Sequence, residues 1–510
     1  MPQGNRGHIG IRKETTTLGW GVRDGTGNNN VFLPFVSETL TANIEEVLSA
    51  IQRGERDEPK SYHGQRDFAG DVVVEVHPHS FGHILRSAIN KPNPSGEFAS
   101  SKITVIADCE TKWEHDDAVI TSLDPNEKRK GKNSCKIQVS EGALAVPTVL
   151  ASQEFADSLL TTSHYKFWLR CSIPLAENDV KFRVSDQPLG ADTGAEDTVT
   201  IPEMPTAYKW YEHRIAKGDV GDLGAAISCA LVQFVDKGEM TLWIDDVRIV
   251  ETGAPAATSA IEHVFTPIKT RTEEFHPDCP LRPYTLEVYK DDGGDAFQFL
   301  GAVVNKLSLS FSTTDKILKA TLGIIAKDLG KITPTLPGLE PTNPFLWSDA
   351  RIFMANKDAV VDIEEVTNRC NDLESFKVDF DNNCIAKFAL NNTAIARKFI
   401  FNGYVAIPVN FVVDFISRTE FDHFIDGTER QFIIVLDGDV IKPDNGELTF
   451  KFRLRIDLPL VRYTAYPINT GGPGRLSAAV VGKAKYSSHD DWLYSIRYTI
   501  WNKQQATEYA

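Results

Sequence analysis

The chain is expected to be a mainly β, wall-forming protein, and three observations carry that expectation. Between Leu448 and Asp457, apolar Leu448, Phe450, Phe452, Leu454 and Ile456 alternate with Thr449, Lys451, Arg453, Arg455 and Asp457. A period of two gives an extended strand one dry face and one ionic face. Two more such strands lie between Phe297 and Asp328, joined by a polar turn at Ser312–Asp315. Aromatic residues reach 10% with 28 Phe, a bias toward sheets and interfaces.

At 510 residues the chain is too long for one core and divides into about three domains. A net charge of −16, dispersed along the sequence, excludes a protein that grips nucleic acid through its phosphates. Seven cysteines show no CxxC pair and no zinc spacing, so free thiols in a reducing compartment are expected. The N-terminus lacks the apolar core of a secretory signal, and no run approaches the roughly 18 apolar residues of a membrane span. A soluble protein made in a cytoplasm, with no membrane partner, is the expectation.

Residues 1–30 are Gly- and Asn-rich and read as a flexible arm or a loop that docks elsewhere. Strands follow near Val31–Val36 and Asp71–His77, then a short amphipathic helix at His79–Ile89 with Phe81, Ile84, Leu85 and Ala88 on one side. Residues 101–252 hold seven or more short strands flanked by Pro, Gly and Ser clusters, the pattern of an inserted β-sandwich. Outside that insert, Ile44-Glu45-Glu46-Val47 recurs as Ile363-Glu364-Glu365-Val366, 319 residues on. A tetrapeptide also recurs by chance, so this hint of duplication leaves both readings open.

The flanking regions resemble the tail tube proteins of long-tailed bacteriophages. The resemblance rests on Val31-Phe32-Leu33-Pro34-Phe35, the Gly70–Val76 strand with its helix, and the hairpin Phe297–Ser310 with Leu318–Asp328. It implies β-sandwich or barrel domains with short flanking helices, joined between copies into rings. The 358 residues outside the insert are about twice one such domain, which favours a trimer with pseudo-sixfold symmetry over a hexamer. The implied boundaries are 1–100 and 253–335 for the first tube domain and 336–510 for the second. The implied partners are identical subunits within and between rings, a tape measure protein, and DNA passing without sequence-specific contact. The implied place is a virion tail assembled in a host bacterial cytoplasm. Open strand edges are an aggregation hazard that a closed ring removes, and an acidic chain suits a conduit for phosphates.

The insert resembles jelly-roll carbohydrate-binding modules of the galactose-binding-like type. Asp108-Cys109-Glu110 with Trp113, Gly131–Ile137, Phe167–Arg170 and Leu242–Val247 carry that likeness. It implies a structural calcium between the first and last strands, held by Asp108 or Glu110 and Asp245, oxygen ligands suited to a hard cation. No other cofactor is implied. Glycan binding needs exposed aromatics, and Tyr208, Trp210 and Tyr211 are the candidates; Trp168 and Trp243 lie among apolar neighbours and read as buried.

His77, His79 and His83 invite a metal reading, but no HExxH motif accompanies them, and a surface or capping role is expected. Gly471–Gly474 and Gly482-Lys483-Ala484 lack the hydroxyl of a phosphate cradle and read as turns. No catalytic constellation is legible. The expected function is therefore structural, a tail tube subunit displaying a glycan-binding-like decoration. The alternatives are a carbohydrate-active enzyme with an internal binding module, or an adhesin. The N-terminal arm and residues 37–67 are the expected ring-to-ring contacts.

Overall fold

The computed structural model describes every residue except 1–5, 15–19, 23–30, 52–56, 59, 91–100, 116–118, 130–131, 141–145, 158–161, 188–194, 219–225, 252–260, 292, 339, 358–360, 362–367, 445–447, 470–474, 489–492, 505–507 and 510. It is built almost wholly from antiparallel strands, with two short α-helices, α1 (Phe81–Ala88) and α2 (Thr419–Asp426). The alternation at 297–328 becomes the long strand Ala296–Ser312 paired with Lys319–Ala326.

One strand order occurs twice. In the first set, the end of Ala296–Ser312 pairs with Lys319–Ala326, which pairs with Ser61–Glu75. That strand carries Phe35–Glu38 and Thr41–Leu48 on its far side. In the second, the end of Leu448–Ala465 pairs with Ser477–Ala484, then Pro408–Asp414, then Leu373–Asp381. The sets fuse where Lys306–Ser312 pairs antiparallel with Ser375–Asp381, giving one continuous sheet. A bulge at Phe35/Ser37 matches one at Leu373/Ser375. After each third strand comes a helix carrying the same pattern, Phe81-x-His83-Ile84-Leu85 and Phe421-x-His423-Phe424-Ile425. These matches are 338 and 340 residues apart, so the tetrapeptide at 319 is out of step with the repeat. Its second copy, 363–366, lies outside the described residues.

A single hydrophobic cluster runs from Ile9 to Tyr509 through both sets, because the shared sheet gives them one dry face. A second cluster draws only on residues between Ile106 and Ile249. The 101–252 segment forms two sheets. It joins the rest through Ser101–Ala107 beside Ile261–Phe265, which pairs with Arg497–Asn502 and through it with Leu448–Ala465.

Several expectations change. The Leu448–Asp457 strand alternates as read from Lys451 to Ile456, but Asp457 is buried rather than wet. Its carboxylate meets Arg455 Nε at 2.8 Å and Arg497 Nε at 3.0 Å. Burial alone would raise it, yet the two guanidiniums hold it below the usual carboxylate range. Helix α1 is buried on every side, not on one. Asn382 Nδ2 donates to Ala88 O at 2.8 Å, and Tyr509 packs so closely on Gly82 that a Cβ there would clash with its ring. The histidines are consequently interior. His83 Nδ1 lies 3.2 Å from the Tyr284 hydroxyl and His83 Nε2 3.2 Å from Glu508, while His77 Nδ1 lies 2.6 Å from Thr342 O. Gly482 and Lys483 sit within the Ser477–Ala484 strand rather than a turn, and 471–474 lie outside the described residues.

The N-terminal region docks where it is described. His8–Lys13 pairs with Tyr284–Tyr289 and Val31–Leu33, with Ile9 and Ile11 in the core. Glu14 is buried and accepts from Gly301 N and Gly21 N, both at 2.7 Å; burial pushes its carboxyl up against those donors. Trp20 Nε1 donates to Gly301 O at 3.1 Å. These residues are integral to the subunit.

Candidate assembly surfaces

Counting Phe35–Leu48 as one strand, the shared sheet has eight, and its two ends differ from its middle. At one end, Thr41–Leu48 pairs with Ser61–Ala69 on one side and, among the described residues, with no strand on the other. Within the 37–67 segment expected to make ring-to-ring contacts, Thr41–Leu48 and its partner Ser61–Ala69 form a two-stranded arm. Ile44, Val47, Leu48 and Tyr62 on it are about half exposed, as is most of its length. At the other end, the chain continues from Leu448–Ala465 into Ile468–Asn469, which pairs with Ser477–Ala484 and, among the described residues, with nothing beyond. A strand margin with unpaired amides is a template for another strand.

The two ends carry opposite charge. Glu45 and Glu46 lie exposed on the first; Arg462, Lys483 and Lys485 lie exposed at the second. The central seam shows what such ends can form. There Lys306 Nζ meets Asp381 at 3.0 Å across the fused strands, and behind them Asn305 Nδ2 donates to Cys384 O at 3.0 Å.

The sheet's second face is wet. Along its six central strands, alternate residues leave the core: Asp71, Val73 and Glu75; Lys319, Thr321, Gly323 and Ile325; Lys306, Ser308 and Ser310; Lys377, Asp379 and Asp381; Asn410, Val412 and Asp414; Ala479, Val481 and Lys483. None is aromatic. Five carboxylates face four lysines, and Lys377 Nζ holds Asp379 at 3.1 Å, so this face is nearly neutral. The acidity of the chain therefore lies elsewhere.

In the insert, the three candidate aromatics separate. Strand alternation puts Trp210 and Tyr211 on opposite faces, and Trp210 is buried. Tyr211 is half-buried, its hydroxyl accepting from Thr206 N at 3.1 Å. Tyr208 is 59% exposed, at φ +58°. Beside it the Arg170 guanidinium lies 5.6 Å from its ring and 5.1 Å from that of Trp243, whose Nε1 donates to Asp124 at 3.0 Å. Trp243 is buried as read, but Trp168 is only half-buried and stacks under Arg129 at 3.9 Å.

The candidate calcium carboxylates face amide donors. Asp108 Oδ1 accepts from Glu110 N at 3.1 Å, and Asp245 Oδ2 from Arg129 N at 2.6 Å. Glu110 accepts from Lys132 N and from Asn133 N and Nδ2. Among the described residues no three His, Cys, Asp or Glu groups converge. All seven cysteines are free. No helix among the described residues is long and apolar enough to cross a membrane.

Sequence reading missed the two open ends, although the repeated Phe-x-His pattern could have aligned the halves. Comparison with curated proteins finds no match. Solved carbohydrate-binding modules match about a third of the chain. The family 11 module of Clostridium thermocellum, solved with a mixed-linked tetrasaccharide, is 11% identical over 30% of this chain and 97% of its own, at a TM-score of 0.22. A xylan-binding domain from Paenibacillus barcinonensis is 14% identical over 33% and 99%, also at 0.22. At such scores the likeness carries no argument. Over residues 4–482, however, the sequence matches the family described as phage tail tube protein, and the chain belongs to that family.

Proposed function

We propose that the chain polymerises as stacked rings of three copies around a lumen, the pseudo-sixfold arrangement of a duplicated tube subunit. The observation that carries this is the internal seam. Ser375–Asp381 completes the first strand set as the next copy's hairpin margin would complete the second. Eight strands per copy then give a closed wall of twenty-four, with no edge left open. A head-to-tail contact of this kind closes only if the rotation does, and the acidic and basic ends suit each other's charge.

The wet face lines the lumen in this arrangement, because α1 and α2 both pack on the dry side. A surface of hydroxyls and lysine–aspartate pairs offers passing DNA no net positive field and no stacking platform. A tape measure protein would occupy the same space before DNA. The insert sits outside as decoration, and Tyr208 with Arg170 is its candidate glycan contact, gaining avidity from many copies. Electron microscopy of the purified full chain tests the proposal: hollow rods or rings support it, and a solitary particle at every concentration overturns it.

A further inference from the structure

The repeat leaves one helix covered and its counterpart bare. Phe81, Ile84 and Leu85 on α1 correspond to Phe421, Phe424 and Ile425 on α2, by spacing and by the shared Phe-x-His pattern. The first three are at most 3% exposed, whereas Ile425 is 63% exposed and both phenylalanines are only partly buried. Helix α1 lies at the internal seam, where Asn382, one residue beyond the seam strand, donates to Ala88 O at 2.8 Å and to Asn305 O at 3.3 Å. Helix α2 lies in the same relation to the open end, packed on Leu448–Ala465 as α1 packs on Ala296–Ser312. Carried across the repeat by the offset of 338 that relates the two bulges, Asn382 falls on Ile44, which is itself 47% exposed.

Resting on the ring reading above, we infer that α2 is a docking surface for a second copy of this chain, with Ile44 of one copy seated against Ile425 of the next. The contact replaces the buried amide of the internal seam with an apolar pair. It removes two exposed aliphatic side chains from water where each now costs free energy. It also gives the seam between copies a chemistry distinct from the seam within one.

The full-length chain carrying Ile44→Cys and Ile425→Cys tests this under mild oxidation. Six of its seven native cysteines are buried, and the seventh, Cys370, is only partly exposed, so each single variant is the control. The double variant is expected to yield covalently linked dimers and trimers in assembled material, and each single variant none. Hydrogen exchange within residues 419–426 is expected to slow at least roughly tenfold on assembly, and Ile425→Asp to raise the concentration needed for assembly by roughly tenfold or more. Because Ile425 is exposed, that variant should keep the monomer's circular dichroism. Rings that form without cross-links, and with exchange in α2 unchanged, overturn the docking and leave the ring standing. A wild-type chain that never assembles overturns both.

Discussion

His213 offers a quantitative test of how the insert is held. It lies in the Trp210–Ala216 strand, 4% exposed, its ring 5.4 Å from that of Phe167. Burial pushes its imidazole down to about 4 from 6.5, with Glu212 pulling the other way. The folded chain therefore holds it neutral, while the unfolded chain protonates it near pH 6.5. Between those two values the unfolded state binds more protons, so stability is full above about pH 6.5 and falls as the pH drops toward 4. Across that window the loss amounts to about 3 kcal/mol. His213→Leu removes the titration, so its stability should fall by about 3 kcal/mol less than the wild type's between about pH 7 and about pH 4. Urea unfolding followed by tryptophan fluorescence includes the insert, since four of the eight tryptophans, Trp113, Trp168, Trp210 and Trp243, lie in it. Comparing the two chains at each pH cancels the carboxylates they share. Parallel pH profiles for wild type and variant would refute the reasoning.

Four further outcomes follow from the structure. Tyr509→Ala should cost about 3–5 kcal/mol in thermal unfolding, since the buried ring packs on His263 at 4.7 Å and its hydroxyl donates to His79 O at 2.6 Å; a change under about 1 kcal/mol would show that the C-terminal segment is dispensable. Reversing the open-end charges with Glu45→Lys and Glu46→Lys should weaken assembly at low salt by roughly twofold to thirtyfold, at about 0.2–1 kcal/mol per exposed pair, and added salt should narrow the gap; sedimentation unaffected by either change would count against the head-to-tail ends. A chelator should leave the insert's melting temperature unchanged, and a drop of several degrees would support the calcium reading; Tyr208→Ala should abolish any polysaccharide retention in affinity electrophoresis, and retention at the wild-type level would place the glycan elsewhere.

Strands were legible wherever one face is dry, because a period of two is written directly into residues such as Leu307, Leu309 and Phe311. The helix at 81–88 was legible for the same reason, but its second buried face was not. That face is covered by Asn382 and Tyr509, which lie hundreds of residues away, and local periodicity carries no such information. Asp457 misled because a carboxylate between two arginines looks, in sequence, like any residue on a wet face. Trp210 misled in the opposite way, since Trp210 and Tyr211 are adjacent in sequence but fall on opposite faces of the sheet, while Tyr208 lies in the turn before the strand. The strand Thr41–Leu48 and its partner residues Ser61–Asp67 were not read as strands because nearly all of them are solvent-exposed in one copy, so no dry face marks their period.

Symmetry analysis of end-on electron-microscopy views of the assembled full chain tests the central account most directly. Three copies per ring, with a continuous wall in which residues 41–48 of each copy lie beside residues 461–469 of the next, is the predicted result. Six copies per ring, or rings in which those two strand margins stay apart, would contradict it.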